Sequence, residues 1–217
     1  LRWPTFYDTI SMMYQRLLSE QITAQFHLGN VIILVGPRQV GKTTLIESLL
    51  KKTIVDSDIV HFNGDYLEDR ELLSQESIHK LSLLIGNKST IFIDEGQRID
   101  NIGTILKILT DHYKDKKQII VTGSSSIHLL DKTGEPLTGR KIVFRMFPVS
   151  TEEFALSRTP KELISSLEDL LIYGLYPKVL NQTSYADKVR ELVELTTSNL
   201  YKDILEFQSI RNPSHLS

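Results

Sequence analysis

Eight residues, Gly36-Pro37-Arg38-Gln39-Val40-Gly41-Lys42-Thr43, fit the pattern G-x-x-x-x-G-K-[ST] at every fixed position. Each fixed type has a chemical reason. Glycines let the backbone turn so that successive N–H groups, onward to Thr44, point inward at phosphate oxygens. A helix starting at Lys42 adds its positive end. The Lys42 ammonium reaches the β- and γ-phosphates, and the Thr43 hydroxyl is a ligand for Mg²⁺. Average composition produces the pattern by chance in under about 1% of chains of this length. The bland alternative is a glycine-rich turn carrying an exposed lysine.

A second motif complements the first. Thr90-Ile91-Phe92-Ile93-Asp94-Glu95 is an apolar run ending in two acids. Bare buried charge is costly, so carboxylates at the end of a buried strand need a partner. Mg²⁺ is one, held by Asp94 through water. Glu95 then lies where it takes a proton from an attacking water. The alternative is a strand end with two solvated acids. Guanine selection needs [NT]-K-x-D after a late strand. The nearest match, Asn87-Lys88-Ser89-Thr90, has Thr90 in place of Asp, and Gln97 stands where a D-x-x-G switch needs glycine. Adenine is therefore expected, with ATP as the nucleotide. A small-molecule kinase stays open, although the Asp94-Glu95 pair suits attack by water better.

Elements must hold these residues in place, and the apolar pattern supplies them. Val31–Val35 reads as a strand leading into the loop, and 42–52 as the helix leaving it. Further strands are expected at Ile59–Asn63, 90–95, within 118–126 (a strand and its exit loop) and 141–148, with polar helical material to Ile85 and a helix at 103–114. The strands are continuously apolar and not alternating, so both faces are covered. The expected fold class is α/β, a parallel five-stranded sheet between helices, followed by a small helical lid. Before the sheet, residues 1–29 read as a helical lead-in, with Ile10, Met13, Leu17, Leu18, Ile22 and Phe26 in one stripe. After Pro148 the pattern becomes helical, opening on a capping-box spacing from Ser150 to Glu153. The expected division is 1–29 lead-in, 30–149 ATPase core, and 150–217 lid with the start of a further region.

Composition bounds the rest. The 217 residues are 41% hydrophobic and 24% charged, with net charge −2. That is a globular balance, and it does not indicate a broadly basic nucleic-acid surface. Cysteine is absent, which excludes disulfides, thiolate metal sites and a cysteine nucleophile. No apolar run approaches the ~20 residues a membrane span needs, and no signal layout opens the chain. A cytoplasmic location is expected. The chain begins at Leu1 and not at Met, so a fragment or processed form is expected.

The motifs VGPRQVGKTTL, IFIDEGQRI, VTGSSS, LTGRKIVFRMFPVSTEEF, YGLYPKVL and NLYKDI occur in this order. Together they resemble the prokaryotic AAA-type ATPases whose ATPase core precedes a C-terminal domain of unknown function. The first two are generic to P-loop ATPases, while the run from Leu137 to Phe154 is more specific. The resemblance covers about residues 28 to 207. It implies the AAA sheet, with the Asp94 strand beside the fourth strand. It also implies that members continue into a winged-helix and nuclease-like region after the point where this chain stops. Some members have Gly-Gly-Tyr-Pro where this chain has Gly174-Leu175-Tyr176-Pro177.

Three assignments follow from the resemblance alone. Ser124 matches the polar sensor of the γ-phosphate, against loop capping. Pro177 matches an element packing near the adenine, against a helix-breaking turn. Arg140 matches an arginine finger acting in a neighbouring subunit, against a surface salt bridge. The resemblance therefore implies a homo-oligomer through a trans arginine, with no macromolecular partner named. Two function classes remain: a hydrolysing remodeller, or a slow nucleotide switch gating a C-terminal effector.

Overall fold

In the computed structural model the described residues are 14–124 and 137–208, with residues 198–208 described as backbone only. Ile10 and Met13 of the expected stripe, and Ser125 and Ser126 of the serine-rich loop, lie outside them. The described chain divides into two units, 17–147 and a second built from 14–16 together with 148–208.

The first unit is a parallel sheet in the order β2-β3-β4-β1-β5. Its strands are β1 (Val31–Val35), β2 (Ile59–Asn63), β3 (Thr90–Asp94), β4 (Gln118–Gly123) and β5 (Lys141–Arg145). Every residue of the three inner strands is buried, which is why VIILV, TIFID and QIIVTG carry no alternation. One face gives Val31, Ile33, Val35, Ile91, Ile93, Ile119 and Val121 to the main core. The other presents Ile32, Leu34, Phe92 and Ile120, equally sealed. The edge strands β2 and β5 are mostly half-buried. β3 pairs with β4 in parallel, as the resemblance implies.

Helices α1 (Leu18–Thr23), α2 (Lys42–Thr53), α3 (Leu67–Leu73), α4 (Ile78–Ile85) and α5 (Ile102–Tyr113) belong to this unit. Helix α5 buries Ile102, Ile105, Leu106, Leu109 and Tyr113, a stripe at helical spacing. Each fully buried Leu or Ile contributes about 1.5–3 kcal/mol. Because the strands are parallel, the chain leaves β1, β3 and β4 at the same, C-terminal end of the sheet. The phosphate-loop motif, the acidic pair and Ser124 therefore meet there, where open α/β sheets bind their ligands.

The second unit is helical, with helices Thr151–Ala155, Pro160–Tyr173, Pro177–Leu180 and Tyr185–Gln208. The expected Ser150–Glu153 capping box forms, and Thr159 makes a second with Glu162. Tyr14 stacks on Phe154 at 6.4 Å. Arg16 pairs with Glu153 at 3.0 Å, both side chains under 10% exposed. Residues read as a single lead-in thus serve both units, since Leu18–Thr23 lies in the first. Among the described residues no helix is long and apolar enough to cross a membrane.

Candidate functional site

The turn after β1 is shaped by two left-handed residues, Gln39 (φ 62°) and Gly41 (φ 95°). Interleaved with right-handed neighbours, such residues aim successive N–H groups into one concavity. Gly41 caps α2, and the first intrahelical bond of that helix runs from Leu45 N to Gly41 O at 2.9 Å. The amides of Lys42, Thr43 and Thr44 therefore lie in the first turn, where N–H groups have no helical acceptor. Pro37 and Thr44 are exposed at the rim, Arg38 and Gln39 are half-buried, and Val40 is sealed beneath.

Gly36 is glycine for a reason that the motif does not carry. Met146 N donates to Val35 O at 2.8 Å, extending the β1–β5 pairing by one rung. This brings the Met146 carbonyl so close that a Cβ on residue 36 would sit 2.0 Å from its oxygen. The requirement here is close strand approach as well as a turn.

Lys42 is 5% exposed, and its ammonium donates to the carbonyls of Gly36 and Pro37, both at 2.8 Å. Thr43 Oγ1 donates to Asp94 Oδ2 at 2.9 Å, tying the first turn of α2 to the end of β3. Asp94 also accepts from the Glu95 amide at 3.1 Å and from the Thr122 hydroxyl. Two hard oxygens, the Thr43 hydroxyl and the Asp94 carboxylate, thus converge beside the phosphate loop. That donor set fits Mg²⁺, which takes one or two protein oxygens and completes its shell with phosphates and water.

Glu95 lies just past β3 with φ 50°, a left-handed conformation uncommon for a side-chain-bearing residue. Its backbone is crowded by the exit of β2. Gly64 N donates to Asp94 O at 2.8 Å, and a Cβ on Gly64 would sit 2.3 Å from Glu95 O. The Glu95 carboxylate faces Gln97 and Ser124: Gln97 Nε2 to Glu95 Oε2 is 2.6 Å, and Ser124 Oγ to the same oxygen is 3.4 Å. The imidazole nearest this region, His61, stacks on Phe92 at 4.6 Å. Burial pushes its pKa below the ordinary value, against the carboxylates of Asp94, Glu47 and Asp69, and it is half-buried on the edge strand β2.

Gly36–Thr44, Asp94, Glu95 and Ser124 are therefore brought together. Arg140 is not part of this cluster. Arg140 O accepts from Val31 N, at the beginning of β1. A five-residue strand at ~3.3 Å per residue separates it from the phosphate loop by roughly 16 Å. Its guanidinium pairs with Asp111 at 3.1 Å on the surface. Pro177 is the first residue of its short helix in the other unit. Sequence reasoning missed Thr122, Gln97 and Gly64. A threonine in the otherwise apolar run IIV-Thr122 was a usable signal for the first. Nothing periodic marked the other two.

A family model described as an AAA domain matches residues 29–155. An uncharacterised protein of Methanocaldococcus jannaschii is 25% identical over 209 residues, which is 91% of this chain and 47% of that protein. An uncharacterised protein of Mycobacterium tuberculosis is 29% identical over 137 residues, covering 63% of this chain and 29% of its own length. The chain thus spans less than half the length of these relatives. A solved Walker-type ATPase of Pyrococcus abyssi shares the fold with TM-score 0.59 at 13% identity, over 92% of this chain and 77% of that one.

Proposed function

The chain belongs to the AAA domain family, among the AAA-type P-loop ATPases of prokaryotes, and on that premise we propose that it binds ATP with Mg²⁺ and hydrolyses it to ADP and phosphate. The observation that carries the reading is the Thr43–Asp94 hydrogen bond of 2.9 Å, with the Lys42 ammonium over the same loop. It links the two motifs that a Mg²⁺-nucleotide needs.

In this reading the amides of the loop from Gly36 to Thr44 hold the phosphate chain. Lys42 turns from the Gly36 and Pro37 carbonyls to the β- and γ-phosphates. Thr43 and Asp94 hold Mg²⁺, which supplies charge neutralisation on the phosphate oxygens when bound. Glu95 orients the attacking water and takes its proton as the water oxygen bonds to the γ-phosphorus. The bond from that phosphorus to the β–γ bridging oxygen breaks, and ADP leaves. Ser124 donates its hydroxyl to the γ-phosphate. Pro177 packs by the adenine.

Arg140 acts on a neighbouring subunit's γ-phosphate, because roughly 16 Å separates it from its own loop. Hydrolysis is coupled to conformational change in an oligomer or an attached effector, in the cytoplasm. The boundaries proposed for the functional parts are a core at 30–149 and a lid from 150.

The test is paired. Lys42→Ala should weaken ATP binding ten- to a hundredfold, since charge-assisted hydrogen bonds are worth about 1.5–3 kcal/mol each. Glu95→Gln should bind ATP normally and release phosphate about 10²–10⁴ times more slowly. Unchanged ATP affinity in Lys42→Ala by calorimetry rejects the phosphate-loop reading. Unchanged turnover in Glu95→Gln rejects the base.

A further inference from the structure

We propose that Gln97 is a positioning residue that sets where the Glu95 carboxylate and the Ser124 hydroxyl stand relative to each other. The inference rests on the ATPase reading and deepens it.

Gln97 is 7% exposed, in the short turn after Glu95. Its Nε2 lies 2.6 Å from Glu95 Oε2 and 2.9 Å from Ser124 Oγ. A side-chain amide nitrogen has two protons, and these two contacts use both. The orientation is fixed by chemistry, because a carboxylate only accepts, so the amide must present N–H and not oxygen to Glu95. Ser124 Oγ accepts from Gln97, which leaves its own single proton to donate. That proton now faces Glu95 Oε2 across 3.4 Å, the longest side of the three-residue ring.

The unequal distances have a functional consequence. A γ-phosphate oxygen competing for the Ser124 proton breaks only the weakest of the three contacts. Glu95 then keeps its short bond to Gln97, and Ser124 keeps its acceptor bond to the same amide. Gln97 is therefore the fixed point about which sensing and base catalysis are arranged. It links the exit of β3, which bears Glu95, to the exit of β4, which bears Ser124. The left-handed backbone at Glu95 aims the carboxylate into this ring.

The experiment measures ATP affinity, kcat, KM and melting temperature of the chain and of Gln97→Ala, Gln97→Glu, Ser124→Ala and the Gln97→Ala/Ser124→Ala double variant. A misplacement on the scale of 1 Å costs about 10²-fold in rate, so Gln97→Ala should lower kcat ten- to a hundredfold with ATP affinity within twofold. Gln97→Glu keeps size and shape but sets a second carboxylate against Glu95. It also removes the N–H donors that close the ring, so kcat should again fall at least tenfold with ATP affinity within twofold. The double variant should lose less than the sum of the two single losses. Wild-type kcat in both Gln97 variants would overturn the positioning role and leave the ATPase reading intact. A Gln97→Ala loss that appears equally in ATP affinity and melting temperature would also overturn it, as a purely structural effect. A wild-type chain that binds ATP but releases no phosphate would overturn the hydrolysis reading and this role together.

Discussion

Replacing Gly36 by alanine adds one methyl group, and its effect follows from the sheet. The new Cβ would lie 2.0 Å from the Met146 carbonyl oxygen, against an ordinary contact that begins at 3.4 Å, so something must retreat by 1.4 Å. Both neighbours are backbone, and no side chain can swing away. Overpacking of this kind costs about 1–3 kcal/mol. If the strands part, the Met146–Val35 bond is weakened as well, at about 0.5–1.5 kcal/mol. The sum is about 1.5–4.5 kcal/mol, or roughly 4–14 °C in melting temperature for a unit of this size. Gly41 makes the informative comparison. Its φ of 95° costs an alanine about 1–2 kcal/mol, but its Cβ would meet only the Met146 Cε, at 3.8 Å. Gly36→Ala should therefore melt below Gly41→Ala. It should also bind ATP at least tenfold more weakly, because the phosphate loop that starts at residue 36 has to move with it. Thermal melts with and without Mg²⁺-ATP, together with titration calorimetry, read both effects. A Gly36→Ala chain as stable as wild type, or more stable than Gly41→Ala, refutes the close-approach argument.

Arg140→Ala mixed with Lys42→Ala should recover part of the ATPase activity that each lacks alone, since a finger supplied in trans is worth about 10³–10⁵ in rate; failure of mixing to restore phosphate release, with concentration-independent turnover, argues against it. Asp111→Ala is the control. The Arg140–Asp111 pair is more than 40% exposed on both sides, so losing it should change melting by less than about 1 kcal/mol and leave turnover intact. Asp94→Asn should raise the Mg²⁺ concentration needed for half-maximal turnover at least tenfold, read from a metal titration at fixed ATP, because it removes one of two converging oxygen donors. Glu153→Ala removes the carboxylate that pairs with the buried Arg16 guanidinium and deletes a capping box. The loss should be about 3–5 kcal/mol, seen as early denaturant unfolding of the helical signal, with Glu153→Gln milder.

The sheet was legible because its inner strands are apolar without interruption, and only a strand covered on both faces has that composition. Even the edge strands β2 and β5 kept enough Ile, Val and Phe to be read. Asp94 and Glu95 stood out as charges where an apolar run stops, and the phosphate loop by its spacing. Gln97 was illegible because its role depends on Ser124, which reaches it only through the pairing of β3 with β4. Gly64 was hidden for the same reason, since its neighbour Glu95 lies far along the chain. Least legible was how the lead-in residues are shared between the units. Their helical stripe ran through Arg16 without a break, and nothing local says that Arg16 pairs with Glu153 while Ile22, a few residues on, is buried in the other unit.

That arrangement bears on how the chain is made. Arg16 donates to Pro148 O, 132 residues later. Synthesis at about 5–20 residues per second separates their emergence from the ribosome by roughly 7–26 s. In that interval β1 to β5 all emerge, each with its pairing partners already made or about to be. The nucleotide-binding unit can therefore fold during translation, whereas Tyr14 and Arg16 must wait for Phe154 and Glu153. A chain released early, between Arg145 and Glu153, would hold a finished sheet beside an arginine and a tyrosine with their helical partners unmade. Such a product would be a target for quality-control proteases even though its phosphate loop and acidic pair are already in place.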